Sequence, residues 1–462
     1  MRVLKFGGTS VGIPANAERA LRLVRERAGE DLVVVVSALS GVTNQLVEFA
    51  RGGAPREAIV AQLTMRHVEH AHALGVPESV VTPLLDALRD EIAGAAADAT
   101  LSAADRDRVA AYGERLAAEL FAAALTARGT PARAVLAGEA GLVTNDAFGQ
   151  ATLLPEAAAT IARALGERRP LPVVTGFLGR TLDGRTTTLG RGGSDYSAAI
   201  LGAALGAEEI QIWTDTSGML SADPRIVPEA RPVPRLSFAE ASELAYFGAR
   251  VLHPKTLLPA MERGIPVRIL NTARPDDPGS LITATPEPEP RGWRAKSIAS
   301  KQGITAVTIA STRMLLAHGF LAHVFEVFGR HKIDVDLVTT SEVSISVTVD
   351  DTSRLRAVVS ELEGIGHVDV KEGLAVVAVV GEGAPTQVGL AGHVFTLLGG
   401  VGVAVEMISQ GASRVNLSFV VAASEAAKVV RLLHRGLGLD AEQAPAAIPA
   451  SGRPLDTLAG AT

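Results

Sequence analysis

Residues 319–351 align without a gap on residues 389–421, an offset of 70. His323-Val324-Phe325 falls on His393-Val394-Phe395, and Ile333, Val335 and Val338 fall on Val403, Val405 and Ile408. Ile345, Val347 and Val349 fall on Val415, Leu417 and Phe419. Self-similarity at a fixed offset means that one supersecondary unit is used twice. Each copy reads as an apolar helix, a strand, a turn and a second strand of strict alternation, which buries one face. Strand-like segments (304–309 and 374–380) precede the copies, and helical segments (352–364 and 424–435) follow them. The unit β-α-β-β-α is close to a ferredoxin-like half-sandwich. A sheet this small exposes a face or an edge, and pairing the two copies side by side removes that edge.

The first 270 residues follow another rhythm. Val3–Phe6 is a short apolar strand that runs into Gly7-Gly8, and Leu32-Val33-Val34-Val35-Val36 is a continuous apolar run, as a strand buried on both faces requires. Further strands are read at 172–177, 210–215 and 267–270, with helices at 15–28, 57–74, 103–128 and 194–205. This alternation predicts an α/β fold with a mostly parallel sheet and helices on both faces. Prolines cluster with acids over 273–290 and mark a linker, and the Ala/Pro/Gly-rich tail from 443 to 462 is expected to be poorly ordered.

Composition sets outer limits. The 462 residues exceed one ordinary domain, and the net charge of −6 gives no reason to expect nucleic acid or an anionic membrane as partner. With no cysteine, disulfides, thiolate catalysis and cysteine metal sites are excluded. Aromatic content is 4%, so the cores must rest on Val, Leu, Ile and Ala. No apolar run approaches the ~20 residues that span a bilayer, and the first residues reach glycine too soon for a signal peptide. A cytoplasmic location is the expectation.

The chemistry concentrates in Thr186-Thr187-Thr188-Leu189-Gly190-Arg191-Gly192-Gly193-Ser194-Asp195. Glycines let backbone approach a ligand closely, and a guanidinium forks onto a carboxylate or phosphate. The stretch suits two anionic substrates held side by side. Lys5-Phe6-Gly7-Gly8-Thr9-Ser10 ends the first strand and reads either as a phosphate-binding turn or as a plain strand-to-helix turn with a surface lysine. It is not a Walker A loop, whose pattern is absent. Ser37–Asn44 ends the second strand in the same way, which puts both turns at one carboxyl edge, where ligands bind in such sheets. Glu114 in Ala111-Tyr112-Gly113-Glu114-Arg115 reads, on its own, as a solvated helix carboxylate. Asp223-Pro224-Arg225 is a common turn, and His67, His70 and His72 read as surface histidines rather than a metal site.

These motifs, with Trp213-Thr214-Asp215 and Phe247–Pro254, occur in an order that resembles aspartate kinase of the amino-acid kinase superfamily, over about residues 1 to 437. The repeat resembles the paired ACT domains that sense amino acids in such enzymes. Gly319-Phe320-Leu321-Ala322 and Val335–Glu342 are most similar to the lysine-sensitive, single-function form. The resemblance implies an amino-acid-kinase-like parallel sheet between helices in residues 1–290. Two ferredoxin-like βαββαβ domains at 300–370 and 371–440 would follow, then a flexible tail at 441–462.

It further implies transfer of a phosphoryl group from MgATP to the side-chain carboxylate of L-aspartate, with Mg²⁺ carried by ATP rather than by protein side chains. Lys5 and Asp195 would be catalytic. Thr43, Glu114, Arg191 and Ser194 would bind aspartate. Lys5, Gly7, Gly8, Ser10, Thr214, Asp215, Leu220, Arg225, Arg250 and Val251 would bind ATP. The family usually has lysine where Arg250 stands, and often tyrosine where Leu220 stands. The effector, L-lysine in preference to threonine or none, would meet Met314, Phe320, Leu321, Asp334, Val335, Asp336, Ser341 and Glu342. A homodimer through the ACT domains, or a tetramer, is implied, with no nucleic-acid or membrane partner. The competing readings are another amino-acid kinase and a catalytically weak amino-acid sensor. No dinucleotide-binding domain is expected after residue 437.

Overall fold

The computed structural model describes residues 1–52, 56–94, 101–248, 252–284, 293–314, 318–410 and 414–440. The chain divides into two compact units.

The first unit comprises Met1–Met219, Pro232–Tyr246 and Arg250–Pro286. Its strands are β1 (Arg2–Phe6), β2 (Leu32–Val36), β3 (Ala132–Val135), β4 (Leu171–Thr175), β5 (Leu178–Arg180), β6 (Thr186–Thr188), β7 (Glu209–Thr214), β8 (Arg235–Ser237), β9 (Val267–Asn271) and β10 (Ser280–Thr283). Eight of them form one sheet in the order β3-β4-β2-β1-β7-β9-β10-β8, while β5 and β6 make a separate antiparallel ribbon. Only the β9–β10 pairing in the large sheet is antiparallel. All five residues of β2 are buried, because helices cover both faces of the sheet.

β1 lies between β2 and β7, with Lys5 level with Val35 and Ile212. The peptide after each central strand is tied to its neighbour: Gly7 N–H donates to Trp213 C=O (2.9 Å), and Ser37 N–H to Phe6 C=O (3.1 Å). Phe6 packs on Phe121 and Trp213 at centroid separations of 5.6 and 6.1 Å. Burying a ring of this size stabilises by ~1.5–3 kcal/mol, so the ends of β1 and β7 are fixed where function needs them.

The helical stretch read at 103–128 is divided at Ala111 into Ala103–Ala110 and Tyr112–Ala127. The first piece is capped by Ser102, whose Oγ accepts from Asp105 N–H at 3.1 Å. The histidine reading is corrected. His67 and His70 are buried, and only His72 is exposed, 2.6 Å from Glu78. Ile59, Leu63, His67, His70, Ala71 and Leu74 form one helical stripe, all buried, so spacing placed two histidines on the apolar face.

The second unit comprises Leu220–Arg231, Phe247–Ala249 and Glu287–Thr462. Its strands β11 (Ser297–Ala310), β12 (Val338–Thr340), β13 (Ser344–Val349), β14 (His367–Val380), β15 (Met407–Ser409) and β16 (Asn416–Ala422) form an antiparallel sheet in the order β12-β13-β11-β14-β16-β15. β11 and β14 each serve both repeats, and their register shifts between Gln302 and Ile304. The first repeat's four strands are thus 304–310, β12, β13 and 367–371, while 297–302 completes the second beside 374–380, β16 and β15. Val307, Phe328 and Val347 centre one core, and Ile298, Phe419 and Leu433 the other. Each repeat is therefore βαββαβ in content, and the shared ladder covers the edge that a lone half-sandwich would expose.

Residues 220–231 pack with this second unit. Ala222 and Val227 share a core with Leu417 and Leu433, Ile298 N–H donates to Ser221 C=O at 2.8 Å, and Ser221 Oγ meets the buried His434 Nε2 at 2.9 Å. Among the described residues, no helix is long and apolar enough to cross a membrane.

Candidate active site

A cavity of about 670 Å³ opens in the first unit at the carboxyl ends of β1, β2 and β7. Lys5 projects from the end of β1, and its Nζ lies 2.5 Å from Asp195 Oδ1, with both side chains largely buried. Asp195 stands in the first turn of the helix Gly193–Leu205. A helix N-terminus presents unpaired N–H groups and a positive partial charge, which favours anions. Gly193 is required for packing: a Cβ there would stand 2.6 Å from the Phe177 ring. Ser194 follows on the same turn and lines the cavity, as does Arg191, whose side chain has no acidic partner among the described residues. Gly7 and Gly8 form the adjoining wall, with Thr214 and Asp215 at the end of β7. The glycine loop, the first turn and the β7 end thus reach one place.

Glu114 is the most unusual group in the cavity. It is 2% exposed, not solvated as its helix suggested by itself. Its Oε1 accepts from Ala38 N–H and from Thr43 Oγ, each at 3.3 Å, while Oε2 is buried with no partner. Burial pushes its carboxyl up to about 8, against the pull of the donors on Oε1. A buried carboxylate oxygen without a donor is costly unless a ligand supplies one. An ammonium group could supply such a donor.

A second buried carboxylate, Asp107, lines the same cavity. Nothing in the run Asp105-Arg106-Asp107-Arg108 sets this residue apart from its charged neighbours. The available signal was its position seven residues before Glu114, two helical turns on one side.

Of the other residues expected at the nucleotide, one leaves the cavity. Ser10 is fully buried, and its hydroxyl meets Trp213 C=O (3.1 Å) and Thr272 Oγ1 (2.7 Å) rather than the cavity. Leu220 and Arg225 belong to the second unit, and Arg225 is paired with Asp223 at 2.5 Å. The turn Asp223-Pro224-Arg225 is closed by Asp223 Oδ1, which accepts from Arg225 N–H at 2.9 Å. Arg250 and Val251 lie outside the described residues. Among the described residues, no group of three or more His, Cys, Asp or Glu is placed to hold a metal ion.

The expected effector residues lie in the second unit. Phe320 and Leu321 open the helix Phe320–Arg330, Met314 ends a short 3₁₀ turn, and Asp334, Ser341 and Glu342 are exposed. Val335 is half-buried. Asp336 differs: its side chain is 2% exposed, and both its oxygens lie 3.1 Å from Lys301 Nζ, which also meets Asp350 at 2.9 Å. Burial opposes the charge on Lys301, but the bond to Asp350 and the charge of Asp336 hold its pKa above the ordinary lysine value.

The profile of the amino acid kinase family matches residues 1–271, and that of the ACT domain matches 307–360 and 377–437. Aspartokinase 1, chloroplastic, of Arabidopsis thaliana is 39% identical over 94% of this chain and 79% of its own length. The lysine-sensitive aspartokinase 3 of Escherichia coli K12 is 39% identical over 94% of this chain and 98% of its own. The chain belongs to the aspartokinases. A crystal structure of E. coli aspartokinase III in complex with aspartate and ADP (R-state) superposes with a TM-score of 0.82 at 36% identity, over 95% of this chain and 99% of that one. Within this aspartokinase, the family's kinase profile spans residues 220–231, although that segment is built into the core of the second unit.

Proposed function

We propose that this chain transfers the terminal phosphoryl group of MgATP to the side-chain carboxylate of L-aspartate, giving 4-phospho-L-aspartate. The reaction opens the route to lysine, threonine, methionine and diaminopimelate, and L-lysine bound at the first repeat restrains it. The observation that carries the reading is the partnerless oxygen of Glu114, buried in the same cavity as the Lys5–Asp195 pair and Arg191. An amino acid with two carboxylates brings one ammonium for Glu114, one carboxylate for the Arg191 fork and a second to receive the phosphoryl group. Thr43 and Ser194 add hydroxyls beside them.

The acceptor is already ionised at neutral pH, so no general base is needed. Catalysis then rests on alignment and on positive potential where charge spreads over the transferring oxygens. Lys5, held by Asp195, supplies a fixed cation, and the Gly193–Leu205 N-terminus adds to it. Gly7 and Gly8 let backbone N–H groups close on the phosphates, with Thr214 and Asp215 on the nucleotide side. Mg²⁺ would be carried by the ATP phosphates, and the carboxylates of Asp195 and Asp215 line the cavity in which those phosphates would lie. Mg²⁺ enters with ATP and neutralises phosphate charge when bound.

Residues 1–290 act as the catalytic part, and 300–370 and 371–440 as the two sensing domains. Family likeness supports L-lysine as effector and a homodimer through those domains. The test is MgATP-dependent trapping of the acyl phosphate with hydroxylamine, with and without L-lysine. Aspartyl hydroxamate that falls with lysine is expected. Product indifferent to lysine would redirect the effector to threonine, and no product from folded protein that binds lysine would favour a sensor.

A further inference from the structure

Phosphoryl transfer as derived above leaves Asp107 without a task, yet this buried group is the most heavily bonded carboxylate in the cavity. Its Oδ2 accepts from the backbone N–H of Gly149 at 2.9 Å and of Thr188 at 2.7 Å, and its Oδ1 accepts from Thr188 Oγ1 at 2.9 Å. Burial raises its carboxyl above the ordinary range, and the three donors pull the other way. Retaining a carboxylate where an apolar side chain would pack more cheaply points to a geometric purpose.

The donors come from two separate segments, and these are joined a second time. Ala151 N–H donates to Thr188 C=O at 2.9 Å. Gly190 passes so near the same turn that a Cβ would stand 3.2 Å from Gly149 C=O. Thr188 ends β6, and the chain runs from it directly into Leu189, Gly190 and Arg191, then Ser194 and Asp195. Asp107 therefore grips the root of the glycine loop. The helical stretch that offers Glu114 to the cavity also anchors, two turns earlier, the loop that faces it.

We propose that Asp107 is a positioning residue for the amino-acid substrate. By holding Thr188 and Gly149 it keeps Arg191 and Ser194 placed toward the ligand that Glu114 receives. The proposal rests on the reading of this cavity as the aspartate site. It distinguishes the two substrates, because the nucleotide-side groups Thr214 and Asp215 come from β7, which Asp107 does not touch.

The test compares the full chain with Asp107→Ala, Asp107→Asn and Thr188→Val. Asparagine retains all three bonds: its carbonyl oxygen accepts both N–H groups, and its amide donates to a reversed Thr188 hydroxyl. Asp107→Ala is expected to raise the aspartate KM by about tenfold or more, and to change the ATP KM by less than about threefold. Asp107→Asn restores the aspartate KM to within about threefold of the parent, and Thr188→Val falls between. Without substrates, hydrogen exchange at the Gly149 and Thr188 amides speeds up in Asp107→Ala and not in Asp107→Asn. Equal rises in both KM values, no rescue by asparagine, or unchanged exchange would overturn the proposal. If the parent chain turns over no aspartate while exchange still depends on Asp107, the substrate reading fails, and this role falls with it although the clamp stands.

Discussion

Lys5 and Asp195 meet at 2.5 Å, one at the end of the central strand and the other in the first turn of a helix. Each fixes the other: the carboxylate orients the ammonium, and the ammonium makes a nearly buried carboxylate tolerable. Removing one partner of such a pair is worse than never having it.

Lys5→Met is therefore expected to lower kcat by about 10²–10³-fold, the size seen when a fixed transition-state donor is lost. L-lysine binding, followed by calorimetry, stays as in the parent because the residues proposed to meet the effector lie in the other unit. A variant that keeps most of its turnover would show that Lys5 is structural.

Glu114 gives a pH signature. Its carboxyl sits at about 8 in the empty site and must be ionised to receive an ammonium. Aspartate kcat/KM should thus climb with pH up to about 8 and level off there. Glu114→Gln removes that inflection and raises the aspartate KM by about tenfold or more. The stability sign is opposite. The folded state holds this proton more tightly than the unfolded chain, so Glu114 lowers stability as pH rises from the ordinary glutamate range to about 8. Glu114→Gln should flatten that part of a denaturation-versus-pH curve.

Asp336 of the first repeat pairs with Lys301 on β11, and the Asp336 side chain is almost wholly buried. Asp336→Ala is expected to raise the L-lysine concentration needed for half-inhibition by about tenfold or more, since a buried charge pair of this kind is sensitive to either partner. Lys301→Met leaves the carboxylate buried without that cation and costs about 3 kcal/mol in denaturant unfolding. Inhibition that is undiminished in Asp336→Ala would place the effector elsewhere.

His67 makes an acid-side prediction. It is fully buried, its Nδ1–H donates to Leu63 C=O at 2.7 Å, its Nε2 has no partner, and burial lowers its pKa to about 4. Here the unfolded state binds the proton more tightly, so stability is complete above about 6.5. It is lost as pH falls from there toward about 4. His67→Gln should reduce the loss of stability between neutral and mildly acidic pH. Equal slopes for parent and variant would assign the acid sensitivity to other groups.

The repeat, the parallel strands and the glycine loop were legible because periodicity and glycine density are local properties of a chain. Lys5, Gly7, Gly8 and the turn at 37–44 could be placed at one edge from sequence, since strand ends in a parallel sheet share an edge, whereas Arg191, Ser194 and Asp195 joined them through the resemblance. Glu114 was named only by resemblance, because nothing in Tyr112-Gly113-Glu114-Arg115 says which way the helix faces. Asp107 was missed for the same reason, and the two buried histidines were misjudged, because polarity alone points outward.

The sequence by itself determined the two kinds of fold, the doubling of the regulatory unit and the sheet edge that carries the cavity. Tertiary structure decided which charges are buried, and with which partners. It left Glu114 with one empty oxygen, tied Asp107 to the root of the loop, matched Lys301 to Asp336, and took residues 220–231 into the core of the second unit. Hydrophobic pattern acts between near neighbours along the chain, whereas desolvation and hydrogen bonding depend on atoms brought together from distant segments.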